Sequence, residues 1–471
     1  MKATSQVRAD VLARGAVRGV VLWAGFPVLF QALAVAAVVT LIAIGLGIGA
    51  GLEAGELMTL RKTNLATLVV WGLWWPAMIA LALVLGRVWC TVCPMELVNR
   101  VGDGLARRLG WPRARLGGFL RAGWLIVVIY FVLQVLVAGL SIHRVPHYTA
   151  VFLLVLLVGA LAAGLVFREP RSFCRAFCPA GALLSVYGRY TPVQLEARDA
   201  SVCAQCTTRD CVRAGNRYRF DQRSCPSLLR PFQRRPSDGC VLCLQCAKVC
   251  PSGNMGFGLV SGSAPIRRKV LLLPYEAAFV MVALGFVSHE VIGEVKWLDA
   301  LFHAVPAALG RLAPAVLFGW FEAFWFLALF PVLVWLVIAG AGYLLGHRGS
   351  LGSMLLAAAS GAAPVVAVAH LAKAAAKLGA WGGFLPLAIR DPQGVETLRR
   401  IIGQSVTPPP PLLGLTVIGW VLLTLILVIG WRAWRWTRQV PAESGPAMRA
   451  GLVGASLLFV PVLTVWSWAG P

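Results

Sequence analysis

The chain is poor in charge and poorest in acid. Asp and Glu together number 19 in 471 residues, and all charged residues make up 13%. An ordinary soluble domain carries about 25%, so a single water-soluble globule is excluded. Histidine is also scarce, with six in all. No Walker-type loop is present, nor a Gly-x-Gly-x-x-Gly opening a helix after a strand. Direct oxidation of a nicotinamide or use of a nucleotide is therefore not expected. No short apolar region followed by a cleavage site marks a removable signal peptide. The shortage of acid leaves a formal net charge of +24, which could suit nucleic acid, but its distribution points elsewhere.

Apolar length is what the chain has in abundance, with 59% hydrophobic residues. A membrane-crossing helix needs about 20 mostly apolar residues. Nine stretches qualify, near 29–48, 65–86, 122–141, 150–167, 270–289, 315–340, 351–372, 412–431 and 450–469. The seventh is the weakest, because it is rich in Ala and Gly and contains Pro364. If the N-terminus is inside, the inner segments hold 33 Lys and Arg and the outer loops eight. That asymmetry is the positive-inside pattern. The basic charge is then a topology signal with some attraction to anionic lipid, and no nucleic-acid partner is expected. The expected fold is an α-helical polytopic membrane protein of about nine spans with an inserted small polar domain. Its parts are a membrane domain at 1–167, a cytoplasmic segment at 168–269 and a five-span domain at 270–471. The expected location is the bacterial cytoplasmic (inner) membrane, with the N-terminus and the polar segment inside and the C-terminus outside.

Eight of the twelve cysteines crowd into that cytoplasmic segment. They read Cys203-x2-Cys206-x4-Cys211, Cys225-Pro226, and Cys240-x2-Cys243-x2-Cys246-x3-Cys250-Pro251. The last run has the spacing by which bacterial ferredoxins hold 4Fe–4S clusters, with the Cys before proline serving the other cluster. The predicted ligand sets are therefore Cys203, Cys206, Cys211 and Cys250 for one cluster, and Cys240, Cys243, Cys246 and Cys225 for the second. Structural zinc needs two pairs, not two triplets each completed by a Cys-Pro. Disulfides are disfavoured in a reducing cytoplasm. A segment of this size has little core of its own, and cluster ligation would supply folding energy. The inserted domain is therefore expected to be a small two-cluster bacterial-ferredoxin-like domain.

The other four cysteines form a repeat. Gly86-Arg87-Val88-Trp89-Cys90-Thr91-Val92-Cys93-Pro94 follows the second span, and Arg171-Ser172-Phe173-Cys174-Arg175-Ala176-Phe177-Cys178-Pro179 follows the fourth. Each motif ends a helical hairpin, which reads as an internal duplication. Together the four thiols suffice for a third cluster or a metal. Apart, they are two redox dithiols or small packing residues.

The paired Cys-Pro motifs at span ends, followed by a two-cluster segment, resemble the NapH/NosR-type membrane polyferredoxins over about residues 65–270. The usual pair there is Cys-x3-Cys-Pro. Cys174 and Cys178 match it, while Cys90 and Cys93 are one residue closer. The resemblance implies electron transfer between membrane quinone and an extracytoplasmic redox protein of cytochrome, cupredoxin or ferredoxin type. The flavin-binding outer domain of NosR-type members and the outer β-domain of CcoG-type members have no counterpart here. The length and the five extra spans resemble FtrD-type proteins of ferrous-iron uptake, which would remove electrons from periplasmic iron oxidation. A third reading is a non-enzymatic redox assembly or sensing factor.

Five of the six histidines, His143, His147, His289, His303 and His370, fall near the expected outer face. They are candidates for binding a metal, a haem b or a quinol, and His289 with His370 would make a haem pair if their spans are adjacent. Glu276 and Glu322 are acids expected inside spans and are candidates for proton handling.

Overall fold

The computed structural model describes residues 7–49, 51–233, 239–260, 271–312 and 318–468. The expected starts of the fifth and sixth spans, at 270 and 315, and the chain end at Pro471 lie outside these residues. Long apolar runs without Gly-Pro punctuation fold as helices, because in hydrocarbon every backbone group must be satisfied within the segment. The first is α1 (Val28–Gly45). The second span begins as a π-helical turn, Leu68–Trp74, and continues as α2 (Trp75–Leu85). An amphipathic helix, α3 (Pro94–Arg108), follows. Then come α4 (Trp124–Gly139), α5 (Pro146–Val166) and a short α6 (Pro179–Tyr187). The second half contains α7 (Pro274–Ile292), α8 (Lys296–Phe302), α9 (Phe318–Phe324) and α10 (Phe330–Leu344). It ends with α11 (Leu351–Gly382), α12 (Leu415–Thr437) and α13 (Gly445–Trp468).

Among the described residues, eight helical segments are long and apolar enough to cross a membrane. The third expected span, α4, falls short of that length with 16 residues, or about 24 Å at 1.5 Å per residue. Gly123, at φ +84°, stops it from starting earlier. Helix α4 makes a fourth crossing if α1, the second span and α5 all cross, because the strands at the two ends of this stretch share one face. Strand β1 (Val7–Asp10) lies beside β3 (Met255–Val260), which also pairs with β2 (Val193–Ala197), in one antiparallel sheet ordered β1-β3-β2. Residues before α1 and residues after α5 are therefore on the same face, which takes an even number of crossings between them.

The chain forms two compact units. The first comprises residues 1–38, 81–126 and 155–270. Its polar part is closed by the β2–β3 pairing, so residues 198–254 emerge from and return to one ribbon. Asp10 secures β1 by accepting from the Phe257 N–H at 3.1 Å and from Arg198 at 2.6 Å. Under the sheet, Leu12, Val21, Leu195, Leu242, Leu244, Cys246 and Met255 make a small apolar core. The end of α5 crosses α3 on glycine. A Cβ on Gly164 would stand 2.1 Å from the Asn99 carbonyl oxygen, and one on Gly102 would stand 2.5 Å from that of Leu161.

The second unit comprises residues 39–80, 127–154 and 271–471. Here α11, the weakest span by sequence, is a 32-residue helix that keeps Pro364 in its interior. Its small residues are what let backbones approach in lipid. A Cβ on Gly361 would lie 2.1 Å from the Met448 carbonyl oxygen, and one on Gly451 of α13 would lie 1.9 Å from that of Ala358.

Candidate iron–sulfur site

The eight cysteines of the polar segment line two neighbouring cavities. The first is lined by Cys203, Cys206, Cys211 and Cys250, with Pro251 and Asn254 beside them. The second is lined by Cys225, Cys240 and Cys243. Cys246 borders both. The fourth member of each set thus reaches over from the other motif, as the two Cys-Pro sequences suggest. A backbone bond from the Cys225 N–H to the Cys211 carbonyl, at 2.9 Å, ties the crossing strand down.

Several residues beside these cysteines adopt the left-handed conformation that favours glycine: Arg209 (φ 44°), Leu228 (58°), Leu242 (54°) and Leu244 (57°). Each costs about 1–2 kcal/mol for a residue with a Cβ. Such turns aim successive N–H groups into one concavity, an arrangement used at iron–sulfur sites. Donors reach the sulfurs accordingly. The Asn254 side chain donates to Cys203 Sγ at 3.3 Å, and its backbone N–H donates to Cys250 Sγ at 3.4 Å. The Arg209 and Thr208 N–H groups and the Thr208 hydroxyl hold the exposed Cys206 thiol below its ordinary pKa. Burial does the opposite elsewhere, pushing Cys211 up to about 11 and Cys243 up to about 12. Those thiols are protonated when nothing is bound, so loading them releases protons.

Four thiolates on a single tetrahedral zinc at 2.3 Å stand about 3.8 Å apart. Among the described residues, no three cysteine sulfurs come within 4.8 Å of one another.

The four span-end cysteines also converge. Cys93 is the N-cap of α3 and Cys178 the N-cap of α6, each with proline at the first helical position. Helix N-termini favour thiolate. Cys93, Cys174 and Cys178 pack on a common core of Met95, Ala160, Ala163 and Phe173. Burial pushes Cys178 up to about 12, with Cys174 and Cys90 as nearby like charges. Burial likewise raises Cys174, against the Arg171 guanidinium.

This group adjoins the polar segment through buried polar ties. Thr91 Oγ1 donates to the Val241 carbonyl at 2.9 Å, and Arg171 donates to Ser227 Oγ at 2.7 Å. Arg223 pairs with Glu96 at 2.9 Å, with both side chains about 95% buried or more. Glu96 also accepts from Gln31 Nε2 at 2.6 Å. Sequence reasoning missed Glu96, Arg223, Arg171 and Asn254. Glu96 had a visible signal, being an acid in a basic stretch just after a Cys-Pro. Asn254 had none.

The histidines separate by role. His147 Nδ1 accepts from the Gly47 N–H at 3.1 Å, a loop tie. His143 Nε2 accepts from Arg144 at 3.3 Å. His370 is buried between the rings of Trp75 and Phe286, at 6.1 and 5.9 Å, while His289 Nδ1 lies 3.0 Å from His303 Nε2. His289 is thus turned to His303 rather than to His370. Glu322 joins that pair. Glu276 is not mid-span. Its carboxylate caps the start of α7, accepting from the Leu273 N–H at 2.8 Å. Glu290, absent from the sequence reading, ends α7 and bridges Lys373 at 3.2 Å.

Comparison with known proteins places the duplicated hairpins first. The family described as "4Fe-4S binding domain" matches residues 67–112 and 149–192. These stretches contain Cys90, Cys93, Cys174 and Cys178 and leave the eight-cysteine segment outside. The chain is similar to two proteins of Methanocaldococcus jannaschii. It is 30% identical to uncharacterized protein MJ0749 over 182 residues, 38% of this chain and 67% of the relative. It is 26% identical to uncharacterized protein MJ0750 over 194 residues, 38% of this chain and 75% of the relative. No solved structure matches. This polytopic helical chain carries the 4Fe-4S binding domain match over its two hairpins, and it belongs to the same family as uncharacterized protein MJ0749.

Proposed function

We propose that this protein is an electron-transfer subunit passing electrons among iron–sulfur clusters, the membrane quinone pool and an extracytoplasmic redox partner. The observation that carries the reading is the pair of adjacent cavities, one lined by Cys203, Cys206, Cys211 and Cys250, the other by Cys225, Cys240 and Cys243, with Cys246 on both. The polar-segment clusters are held by Cys203, Cys206, Cys211 and Cys250, and by Cys225, Cys240, Cys243 and Cys246. A third centre is held by Cys90, Cys93, Cys174 and Cys178. When bound, such clusters supply one-electron transfer at potentials set by charge, hydrogen bonds to sulfur and exposure.

The chain's own residues do the remaining work. Asn254 and the left-handed turns direct N–H groups at the sulfurs and raise the potential. Arg171 places a cation between the span-end thiols and the Cys225 loop, since its charge acts on Cys174, Cys90 and Cys243 alike. The ties from Thr91, Arg171 and Glu96 hold the two cysteine groups in register, so electrons can move between them without loop motion. The orientation that follows from the Lys and Arg asymmetry puts these groups on the cytoplasmic side. Reconstituted into proteoliposomes, Cys178→Ser should slow quinone-linked electron flow at least ~10-fold and leave the EPR signals of the polar-segment clusters intact, those clusters having all eight ligands elsewhere. Full activity in that variant would reject the span-end thiols as an electron station.

A further inference from the structure

We propose that His289, His303 and Glu322 form a binding site for a divalent first-row transition cation, separate from every cysteine. Among the described residues this is the one group of three His, Cys, Asp or Glu donors whose ligand atoms all lie within 4.8 Å of one another. His289 Nδ1 is 3.0 Å from His303 Nε2 and 4.0 Å from Glu322 Oε1, and His303 Nε2 is 3.3 Å from that same oxygen. Ligands at 2.0–2.1 Å around a tetrahedral zinc stand about 3.3–3.4 Å apart. The three measured edges bracket that length.

The proton arrangement points the same way. His303 Nδ1 faces two acceptors of Asp299, the carboxylate at 2.9 Å and the backbone carbonyl at 3.0 Å. Nδ1 therefore carries a hydrogen, and Nε2 is the nitrogen turned to His289 Nδ1 at 3.0 Å and to the Glu322 carboxylate at 3.3 Å. That convergence on one point is what a shared cation would use. A carbonyl or carboxylate on the far nitrogen is the usual support of a metal-bound imidazole. His289 is fixed on its other side by the Phe326 ring, stacked at 4.2 Å and 7°. A π-helical turn, Trp325–Leu329, begins three residues after Glu322, and such turns concentrate at functional sites.

Three protein ligands leave a coordination position open. His289 and Glu322 keep about a fifth to a quarter of their side-chain surface accessible, at 22% and 24%, so water or a small ligand can take it. Two imidazoles and one carboxylate suit zinc or ferrous iron rather than calcium or magnesium, which take oxygen ligands. The site is thus a port for an exchangeable cation rather than a closed structural one.

The test uses the full chain in detergent with its iron–sulfur content first restored anaerobically and recorded. Zinc is added from a chelator buffer, and bound metal is counted. Cobalt(II) replaces it in a second series for its ligand-field spectrum, and ferrous iron competes in a third. Wild type should hold about one zinc beyond the iron of its clusters, as the three-ligand site requires. Glu322→Gln, which keeps side-chain shape, should weaken binding at least ~100-fold, and Asp299→Asn about 10-fold, as supporting residues do. If ferrous iron displaces zinc, the site is an iron site; if it does not, it is a zinc site. Wild-type zinc affinity in Glu322→Gln, or no zinc beyond the clusters in wild type, overturns the proposal. His303→Ala adds a second check, judged only if its cluster spectra match wild type. The cluster count is read independently, so failure here leaves the electron-transfer reading standing.

Discussion

Replacing Glu96 by Gln should loosen the polar segment from the span-end thiols. Glu96 lies three residues after Cys93, and its partner Arg223 lies two residues before Cys225. Their atoms meet at 2.9 Å, with side chains 3% and 5% exposed. Gln keeps the bond to Gln31 within reach but leaves a buried guanidinium without its counter-charge. Removing one partner of a buried pair costs about 3–5 kcal/mol. At about 1.4 kcal/mol per tenfold, the open form of the segment gains roughly two to three and a half orders of magnitude in population. The segment is rich in arginine, so trypsin reports its opening. Where reclosing outpaces cleavage, the cleavage rate follows that population. Anaerobic holo-protein in detergent should therefore be cut about 100-fold faster or more in the variant. Glu96→Leu with Arg223→Met should recover most of the resistance, since an apolar pair of similar volume is often neutral. Wild-type digestion in the single variant would refute the reasoning, as would a double variant no better than the single one.

Three further outcomes follow from particular residues. Gly451→Ala puts a Cβ 1.9 Å from the Ala358 carbonyl oxygen and should cost about 1–3 kcal/mol by overpacking, lowering the melting temperature in detergent. Gly430→Ala, with nothing within 4 Å, should not lower it, and equal effects would contradict the packing account. In iron-free protein, Cys206 should be alkylated at a lower pH than Cys211, because its pKa is held down by N–H donors while burial pushes Cys211 up to about 11. The thiolate of a lowered group appears first as pH rises, so labelling of both at the same pH, read by mass spectrometry, would oppose this. Reporter fusions at Gly215 and at Pro471 should fall on opposite sides of the membrane, and a shared side would break the count of crossings.

What the sequence made legible was the part written in spacing. Cysteine intervals made the two groups of thiols legible, and nothing local competes with that signal. Apolar length predicted the spans, except that α4 is cut short where Gly123 takes a positive φ. The Ala- and Gly-rich stretch at 351–382 looked weak because hydropathy undervalues small residues, whose use is close helix contact. The third dimension stayed hidden wherever partners are far apart in sequence. Arg223 meets Glu96 across 127 residues, and no periodicity announces that. Glu276 was read as an acid inside a span with a proton-handling role because its capping role depends on where α7 begins, two residues before it. The meeting of His289 and His303 was also hidden, because it depends on the short connection through α8 that brings His303 back to His289.

The central claim is that two clusters are held by crossed ligand sets, and one comparison tests it most directly. Iron, sulfide and EPR spectra are measured on anaerobically purified Cys225→Ala, Cys243→Ala, Cys250→Ala and Cys206→Ala. The account predicts that Cys225→Ala damages the same signal as Cys243→Ala, and that Cys250→Ala damages the same signal as Cys206→Ala. A Cys225→Ala spectrum matching Cys206→Ala, or a wild-type protein that carries zinc and no iron, would contradict it.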